Sequence, residues 1–133
     1  MEKFAKDVTA FNYEVLGIEL REKSLLSANE MSQTINCLKE ELKEFEDANT
    51  AGDFVASVDA LIDLMYFAVG GLYRMGLTPA EIGRCSEIVH EHNMRKKLGV
   101  VPRRGDGSAP DAVKSEEWIG PERLMAEALG GKL

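Results

Sequence analysis

The chain lacks the features that mark several classes of protein. It has two cysteines, Cys37 and Cys85, with no CxxC pair, so two reduced thiols in the cytoplasm are expected. Its N-terminus has no apolar segment of the secretory type. An excess of positive charge is also missing, because the net charge is -7, and this disfavours broad binding to nucleic acid or to an anionic membrane. The 133 residues are enough for one globular domain with a core.

Proline is absent before Pro79, so no proline interrupts a helix in the first part of the chain. Strand signals are weak there, and helix signals recur. A first helix is predicted from Phe4 to Val15, with Val8 and Phe11 completing one apolar stripe, and Gly17 follows its end.

Capping signals open the next two helices. Ser27 followed by Glu30 fits a capping box, which predicts a second helix ending near residue 49. Its apolar residues recur at steps of four and three and predict a packing seam, made of Met31, Ile35, Leu38, Leu42 and Phe45. Asp53 is a suitable N-cap for a third helix, and Gly76 fits its C-terminal end.

A capping box with an internal proline, "TPAE" at residues 78–81, predicts a fourth helix that runs to about Leu98. Residues 100–118 read as a loop, and Pro121 lies near the start of a short last helix. The sequence therefore predicts an all-α fold. We expect one domain over residues 1–133, a four-helix-type antiparallel bundle with helices two to four as its core and a loop-rich segment from residue 100 onward.

The third helix carries two carboxylates in an apolar run. Asp59 and Asp63 lie about 40° apart around the helix axis, so they form one acidic stripe. An aspartate at the centre of a membrane helix costs about 2.5–3.5 kcal/mol, which argues against a membrane span. A helix that is apolar all round is expected to be buried, and buried carboxylates need partners. The partners are either Lys or Arg residues of another helix or a shared divalent cation, for which Mg²⁺ or Mn²⁺ suits oxygen ligands.

The second helix offers matching acids. Glu41 and Glu44 are spaced i, i+3 and share a face, which the small residues Cys37 and Ala48 extend. Glu40 lies at the edge of this stripe. A solvated, charged surface is the alternative interpretation of these residues. A short turn between the two helices would bring the two acidic stripes together, and this favours the cation.

The order of these motifs resembles a known family. The segment "EELKEFEDANTAGDFVASVDALIDLMY", with its EExxE, short turn and aspartate helix, is similar to the all-α nucleoside triphosphate pyrophosphohydrolases, which include MazG, phosphoribosyl-ATP pyrophosphohydrolase and the dimeric dUTPases. "VHEHNMRKKLG" and "VKSEEW" followed by Pro121 resemble later segments of a MazG-like, phosphoribosyl-ATP pyrophosphohydrolase-like branch that is common in bacteria and phages. One departure is that this chain has DxxxD where MazG and its kin have ExxD.

The resemblance implies an enzyme that hydrolyses a nucleoside triphosphate to a monophosphate and pyrophosphate. It implies Mg²⁺ or Mn²⁺ as cofactor, held by four carboxylates, Glu41, Glu44, Asp59 and Asp63. Glu40 or Glu44 would be the catalytic base, and the two alternatives stay open at this point. The residues expected to bind substrate are Asn12, Asn93, Lys96, Lys114 and Trp118.

Further expectations concern substrate and assembly. The resemblance favours purine deoxynucleotides such as dGTP as substrates, and phosphoribosyl-ATP or a dUTPase-like substrate is the alternative. The non-enzyme alternative is a helical oligomerisation or regulatory module. We expect a homodimer or homotetramer, because the third helix has more apolar surface than one short bundle covers. The expected location is the cytoplasm, which is that of the host if the protein is phage-encoded. The residues Arg95, Lys96 and Lys97 are placed in the last turn of helix four, and His90 and His92 are expected at the surface or at an interface.

Overall fold

A computed structural model describes residues 1–99 and 111–131. It has two compact units, Met1–Ile82 and Gly83–Leu133. The helices and strands of the described residues are α1 (Glu2–Glu14), α2 (Ala28–Thr50), α3 (Phe54–Arg74), α4 (Pro79–Asn93), β1 (Lys97–Gly99), β2 (Asp111–Val113) and α5 (Glu122–Ala128). The prediction of an all-α fold is confirmed, since the only strands described form one short hairpin.

Side-chain caps begin the helices where the sequence placed them. Ser27 and Glu30 form a complete capping box at α2, in which the Glu30 carboxylate accepts from the Ser27 amide at 2.8 Å. The Asp53 carboxylate accepts from the amide of Ala56 at 3.0 Å and caps α3. At α4, Thr78 exchanges similar bonds with Glu81. Each cap satisfies backbone N–H groups that the first helical turn leaves unpaired.

The first unit is built around α3, which packs against both α2 and α1. Only residues 51–53 separate α2 from α3, so the two long helices pair as an antiparallel hairpin. We expected helices two to four to form the core, whereas the third helix that packs in this unit is α1. Its Ala5 and Val8 are fully buried.

Only part of the apolar seam of α2 is covered, since its members Leu38 and Phe45 are half-buried. Three members of the predicted seam, Met31, Ile35 and Leu42, are 42–54% exposed, so the prediction that they pack is wrong within one chain. The residues that approach α3 lie on the stripe of small and acidic side chains. Thr34 contacts the position of Gly71, and Glu41 is buried. Small side chains permit the closer approach of two helices, which explains why this stripe was selected.

Helix α3 is less buried than its composition predicts. A stripe of four apolar residues along its outer side is 41–46% exposed, made of Val58, Leu61, Ile62 and Met65. By length and composition alone α3 is able to cross a membrane, and 28% of its 18-residue apolar stretch is buried. Asp59 is exposed and Asp63 is half-buried, so the expectation of two buried aspartates is wrong. The reason is that α1 and α2 cover only part of the helix circumference.

In the second unit, α4 ends earlier than its pattern predicts. It stops at Asn93, and residues 97–99 form a strand that pairs antiparallel with β2, with Leu98 opposite Ala112. The placement of residues 95–97 in the last helical turn is therefore wrong. Most of the predicted loop, residues 100–110, lies outside the described residues. The short last helix after Pro121 is confirmed as α5.

The segment between α1 and α2 packs tightly against the end of α3. Gly76 has φ +91°, and a Cβ built there would lie 2.6 Å from the Arg21 carbonyl oxygen and 2.8 Å from that of Glu22. The Ser24 amide donates to the carbonyl of Met75 at 3.1 Å. Glycine is required here both by the left-handed backbone and by the close approach of the segment between α1 and α2.

We expect Gly76→Ala to destabilise the protein by more than about 3 kcal/mol. The strain of a left-handed backbone and the clash of the added Cβ with the carbonyl groups of Arg21 and Glu22 add up. The matched control is Gly52→Ala. Gly52 has a similar φ of +73° with no atom within 4 Å of the added Cβ. It should cost about 1–2 kcal/mol, from the backbone conformation alone. Urea unfolding measures both, and equal losses in the two variants would contradict the close approach at Gly76.

Candidate functional site

The acids of α2 and α3 meet at Glu41. Its side chain is 9% exposed, and its Oε2 atom is buried with no hydrogen-bond partner. The pKa of Glu41 is raised above its usual value of 4.5, mainly by burial and then by the negative charges of Glu44, Asp63, Asp59 and Glu40, in decreasing order. The stripes predicted on two helices are therefore close enough to act on one carboxylate.

The other acids around Glu41 are more open to solvent. Asp63 is half-buried, and Glu44, Asp59 and Glu40 are exposed. Within the described residues, no Lys or Arg forms an ion pair with any of these carboxylates. The alternative in which another helix supplies their cations is thus not found in the described chain.

The donor chemistry of this cluster fits a hard divalent cation. Carboxylate oxygens are the ligands that Mg²⁺ and Mn²⁺ prefer, and a buried carboxylate oxygen without a partner is unfavourable unless a cation or a donor reaches it. Among residues 1–99 and 111–131, however, no three His, Cys, Asp or Glu side chains are already close enough to hold an ion. Asp59 and Glu44 have room to move toward Glu41, because both are exposed.

A row of aromatic rings begins beside the acids. The ring centroid of Tyr66 lies 5.5 Å from that of Phe11 and 5.8 Å from that of Phe4, both edge to face. The pKa of Tyr66 is raised, first by burial and then by the negative charges of Asp7 and Asp63. Sequence reasoning did not assign Tyr66 a role. Its i, i+3 spacing from Asp63 on α3 was the available signal.

Asn12, predicted to contact substrate, is buried between α1 and α3. Its side-chain amide donates to the Val8 carbonyl at 2.9 Å and lies 3.5 Å from the position that a Cβ on Gly70 would take. Its main-chain oxygen accepts from Ile18 at 2.9 Å. These contacts order the end of α1, and a role of Asn12 in binding substrate stays a prediction.

Three of the predicted substrate-binding residues come together in the second unit. The ammonium groups of Lys96 and Lys114 lie 5.5 and 5.7 Å from the ring centroid of Trp118, within the range of a cation–π contact. Asn93 is the exposed last residue of α4, and its carbonyl accepts from the Lys96 amide at 3.1 Å. The arrangement brings two positive charges to one aromatic ring.

His92 belongs to the same group, although we expected it at the surface or at an interface. It is buried, its Nδ1 lies 2.7 Å from the Ile88 carbonyl oxygen, and its ring meets Trp118 at 6.0 Å. The signal that could have found it is periodic, because Ile82, Cys85 and Ile88 precede it on the buried stripe of α4.

Comparison with known proteins identifies the family of this core. The family model described as phosphoribosyl-ATP pyrophosphohydrolase matches residues 14–93, which is more than half of the chain. The matched part contains α2, α3 and α4, including all the acids around Glu41. No curated protein and no solved structure matches the chain.

The matched residues include the hairpin of α2 and α3 that carries the acids. At the level of the family, the match supports the enzyme class of nucleotide pyrophosphohydrolases. The chain therefore belongs to the phosphoribosyl-ATP pyrophosphohydrolase family, a MazG-like branch of the all-α nucleoside triphosphate pyrophosphohydrolases.

Proposed function

We propose that the protein hydrolyses a nucleoside triphosphate between its α and β phosphates, releasing a nucleoside monophosphate and pyrophosphate, with Mg²⁺ or Mn²⁺ as cofactor. The observation that carries the proposal is the buried, unpartnered carboxylate of Glu41 in the field of Glu44, Asp59 and Asp63. A chain with a net charge of -7 needs local positive charge to bind a triphosphate, and an acidic cluster obtains it from a cation.

In this proposal, Glu41, Glu44, Asp59 and Asp63 hold the cation. When bound, the cation supplies positive charge to phosphate oxygens and makes a water molecule more acidic. Glu41 is fixed by burial between the helices, whereas Glu44 and Asp59 are exposed and free to adjust to the ion and the phosphates. The DxxxD spacing keeps both α3 carboxylates on one side, so it is compatible with this role.

The proton of the attacking water goes to a carboxylate of α2 in the same proposal. Glu40 and Glu44 are both exposed beside Glu41, and either is able to act as the general base. The water oxygen forms the new bond to phosphorus, and the bond between the α and β phosphates breaks, with pyrophosphate as the leaving group.

We propose that the second unit contacts the phosphates. Lys96 and Lys114 share the Trp118 ring and together offer two ammonium groups, which bind phosphate oxygens as point charges. Asn93 is exposed beside them, and Asn12 of the first unit is a further predicted contact.

Purine deoxynucleotides such as dGTP are the substrates we favour, and we propose a cytoplasmic location. Phosphoribosyl-ATP is a second candidate, because the matching family model carries its name. A dUTPase-like activity and a non-enzymatic helical module are the remaining alternatives. The test is incubation of the protein with phosphoribosyl-ATP and a panel of ribo- and deoxynucleoside triphosphates, with Mg²⁺ or Mn²⁺. Monophosphate and pyrophosphate are the expected products; inorganic phosphate, or no turnover of any substrate, would reject the proposal.

We also propose that the protein is a homo-oligomer, a dimer or a tetramer. The outer stripe of α3 and the seam of α2 leave large apolar side chains in contact with water, among them Ile62 and Leu42. Burial of such surface is favourable by roughly 25 cal/mol per Å², so a second copy with the same stripes is a suitable partner.

The first prediction from the proposed function concerns the acidic cluster. Glu44→Gln and Asp63→Asn should each lower kcat/KM at least about 100-fold, because each removes a charge that faces the cation and the phosphates. The control is Glu46→Gln, which neutralises an exposed carboxylate of α2 outside the cluster. Steady-state release of pyrophosphate measures all three. Wild-type rates in either cluster variant would contradict the site.

A second prediction follows from the raised pKa of Glu41. A group whose pKa is raised by folding stabilises the native state only at low pH, and this stabilisation is lost as the pH rises through the folded-state pKa. Glu41→Gln should therefore be more heat-stable than wild type at about pH 7. The difference in Tm should shrink as the pH falls below 4.5, the ordinary pKa of a glutamate.

Thermal denaturation with and without Mg²⁺ extends this measurement. Binding of the cation to the native state should raise the Tm of the wild type more than that of Glu41→Gln, since the variant lacks the buried charge. An equal shift in the two proteins would show that Mg²⁺ binds elsewhere.

A third prediction tests assembly. Ile62→Lys places a charge in the outer stripe of α3, and light scattering should then give the mass of one chain where the wild type gives a multiple of it. The control is Thr50→Lys, an exposed polar position at the end of α2. A wild type that is monomeric at micromolar concentration would contradict self-association.

A further inference from the structure

His92 is a buried imidazole of the second unit, and the proposed reaction gives it no role. Its side chain is 3% exposed, and its Nδ1 atom lies 2.7 Å from the Ile88 carbonyl oxygen. A carbonyl oxygen only accepts, so Nδ1 carries a hydrogen and donates it. The bond reaches back over one turn of α4 and fixes the direction in which the imidazole leaves the helix.

The ring that His92 meets is the indole of Trp118. The two ring centroids are 6.0 Å apart and the ring planes are 79° apart, which is the edge-to-face arrangement that aromatic pairs favour. Trp118 is half-buried and lies outside any helix or strand, where its amide donates to the Ser115 carbonyl at 3.1 Å. The orientation of the indole therefore depends on its side-chain contacts, of which His92 is the buried one.

Two lysines meet at the same indole. Lys97 pairs with Val113 in the hairpin, so one position further along the register Lys96 stands opposite Lys114. Like charges directly opposite each other destabilise a strand pair. The ion pairs described in the second unit involve arginines and neither of these lysines. The attraction that the described residues offer both ammonium groups is the Trp118 ring, at 5.5 and 5.7 Å.

We propose that His92 is a positioning residue for phosphate binding. Its ring holds the Trp118 indole, and through the indole it keeps the ammonium groups of Lys96 and Lys114 together, where one anion with several phosphate oxygens binds both. The inference rests on the proposed function for the identity of that anion. Lysine side chains that are already placed lose less conformational freedom when the ligand binds, so the arrangement raises affinity without His92 contacting the ligand.

The alternative is that His92 only fills the interior of the second unit. Two variants separate its ring from its hydrogen bond. His92→Phe keeps a ring against Trp118 and loses the N–H donor. His92→Asn loses the ring and keeps a donor for the Ile88 carbonyl, as Asn12 donates to the Val8 carbonyl one turn back in α1 at 2.9 Å. Positioning through the ring predicts that the phenylalanine variant behaves like the wild type and the asparagine variant does not.

The first measurement reads the lysine positions by NMR of the full chain without any ligand. Protons above an aromatic ring are shifted upfield, so the ε-methylene protons of Lys96 and Lys114 should be shifted upfield relative to those of other lysines. These shifts should persist in His92→Phe and be lost in His92→Asn. Ile88→Val is the control, because it lowers the stability of the same helix and keeps the imidazole.

The second measurement is calorimetric titration of the full chain with inorganic pyrophosphate in EDTA, so that neither turnover nor metal is required. His92→Asn should weaken pyrophosphate binding about 5- to 100-fold, since two lysine side chains must then be ordered by the ligand itself. His92→Phe and Ile88→Val should change the affinity less than about 3-fold, even where their loss in Tm is as large.

Unchanged lysine shifts in His92→Asn would overturn the inference, and so would pyrophosphate affinity equal to that of the wild type. Equal weakening by His92→Asn and Ile88→Val would also overturn it, because lost stability alone would then explain the effect. The outcome is separable from that of the proposed function. Triphosphate hydrolysis with pyrophosphate binding that ignores His92 would leave the proposed function standing and reject the positioning role. Lysine shifts that depend on His92, in a protein that binds no pyrophosphate, would reject the phosphate contact and support the positioning of the lysines.

Discussion

The repulsion among carboxylates at Glu41 is the constraint on which the arrangement of the first unit depends. Folding brings the α2 stripe to α3, and this buries one acid while leaving its Oε2 atom without a donor. Two helices would gain more by burying their apolar seams, yet Met31 and Ile35 of α2 remain in water. The proposed function accounts for this arrangement, because a divalent cation bound there would offset the like charges of the hairpin.

Local signals of the sequence predicted much of this. The caps at Ser27, Asp53 and Thr78 were found because each depends on residues within one helical turn. The meeting of Glu41 with Asp63 was also predictable, because helical periodicity gives the face of each residue and a three-residue link gives the register. These are the parts of the candidate site that belong to one hairpin.

The misses concern contacts that sequence spacing does not determine. The pattern of α4 continues to Leu98, but residues 97–99 pair with a strand 12 or more positions later, and such pairing outweighs local helix preference. Burial of the α2 seam and of α3 was expected from composition, which does not say whether the same chain or another covers a surface. His92 was misplaced because its place on the buried stripe of α4 was not taken into account.

Trp118 is the only tryptophan of the chain, and its indole is in contact with His92 and with the ammonium groups of Lys96 and Lys114. Cationic neighbours quench and shift indole emission, so intrinsic fluorescence excited at long wavelength reports on the second unit alone. Melting of the α1–α2–α3 unit is followed by tyrosine emission or circular dichroism. Disagreement between these optical probes would reveal that the two halves of the polypeptide lose their structure separately.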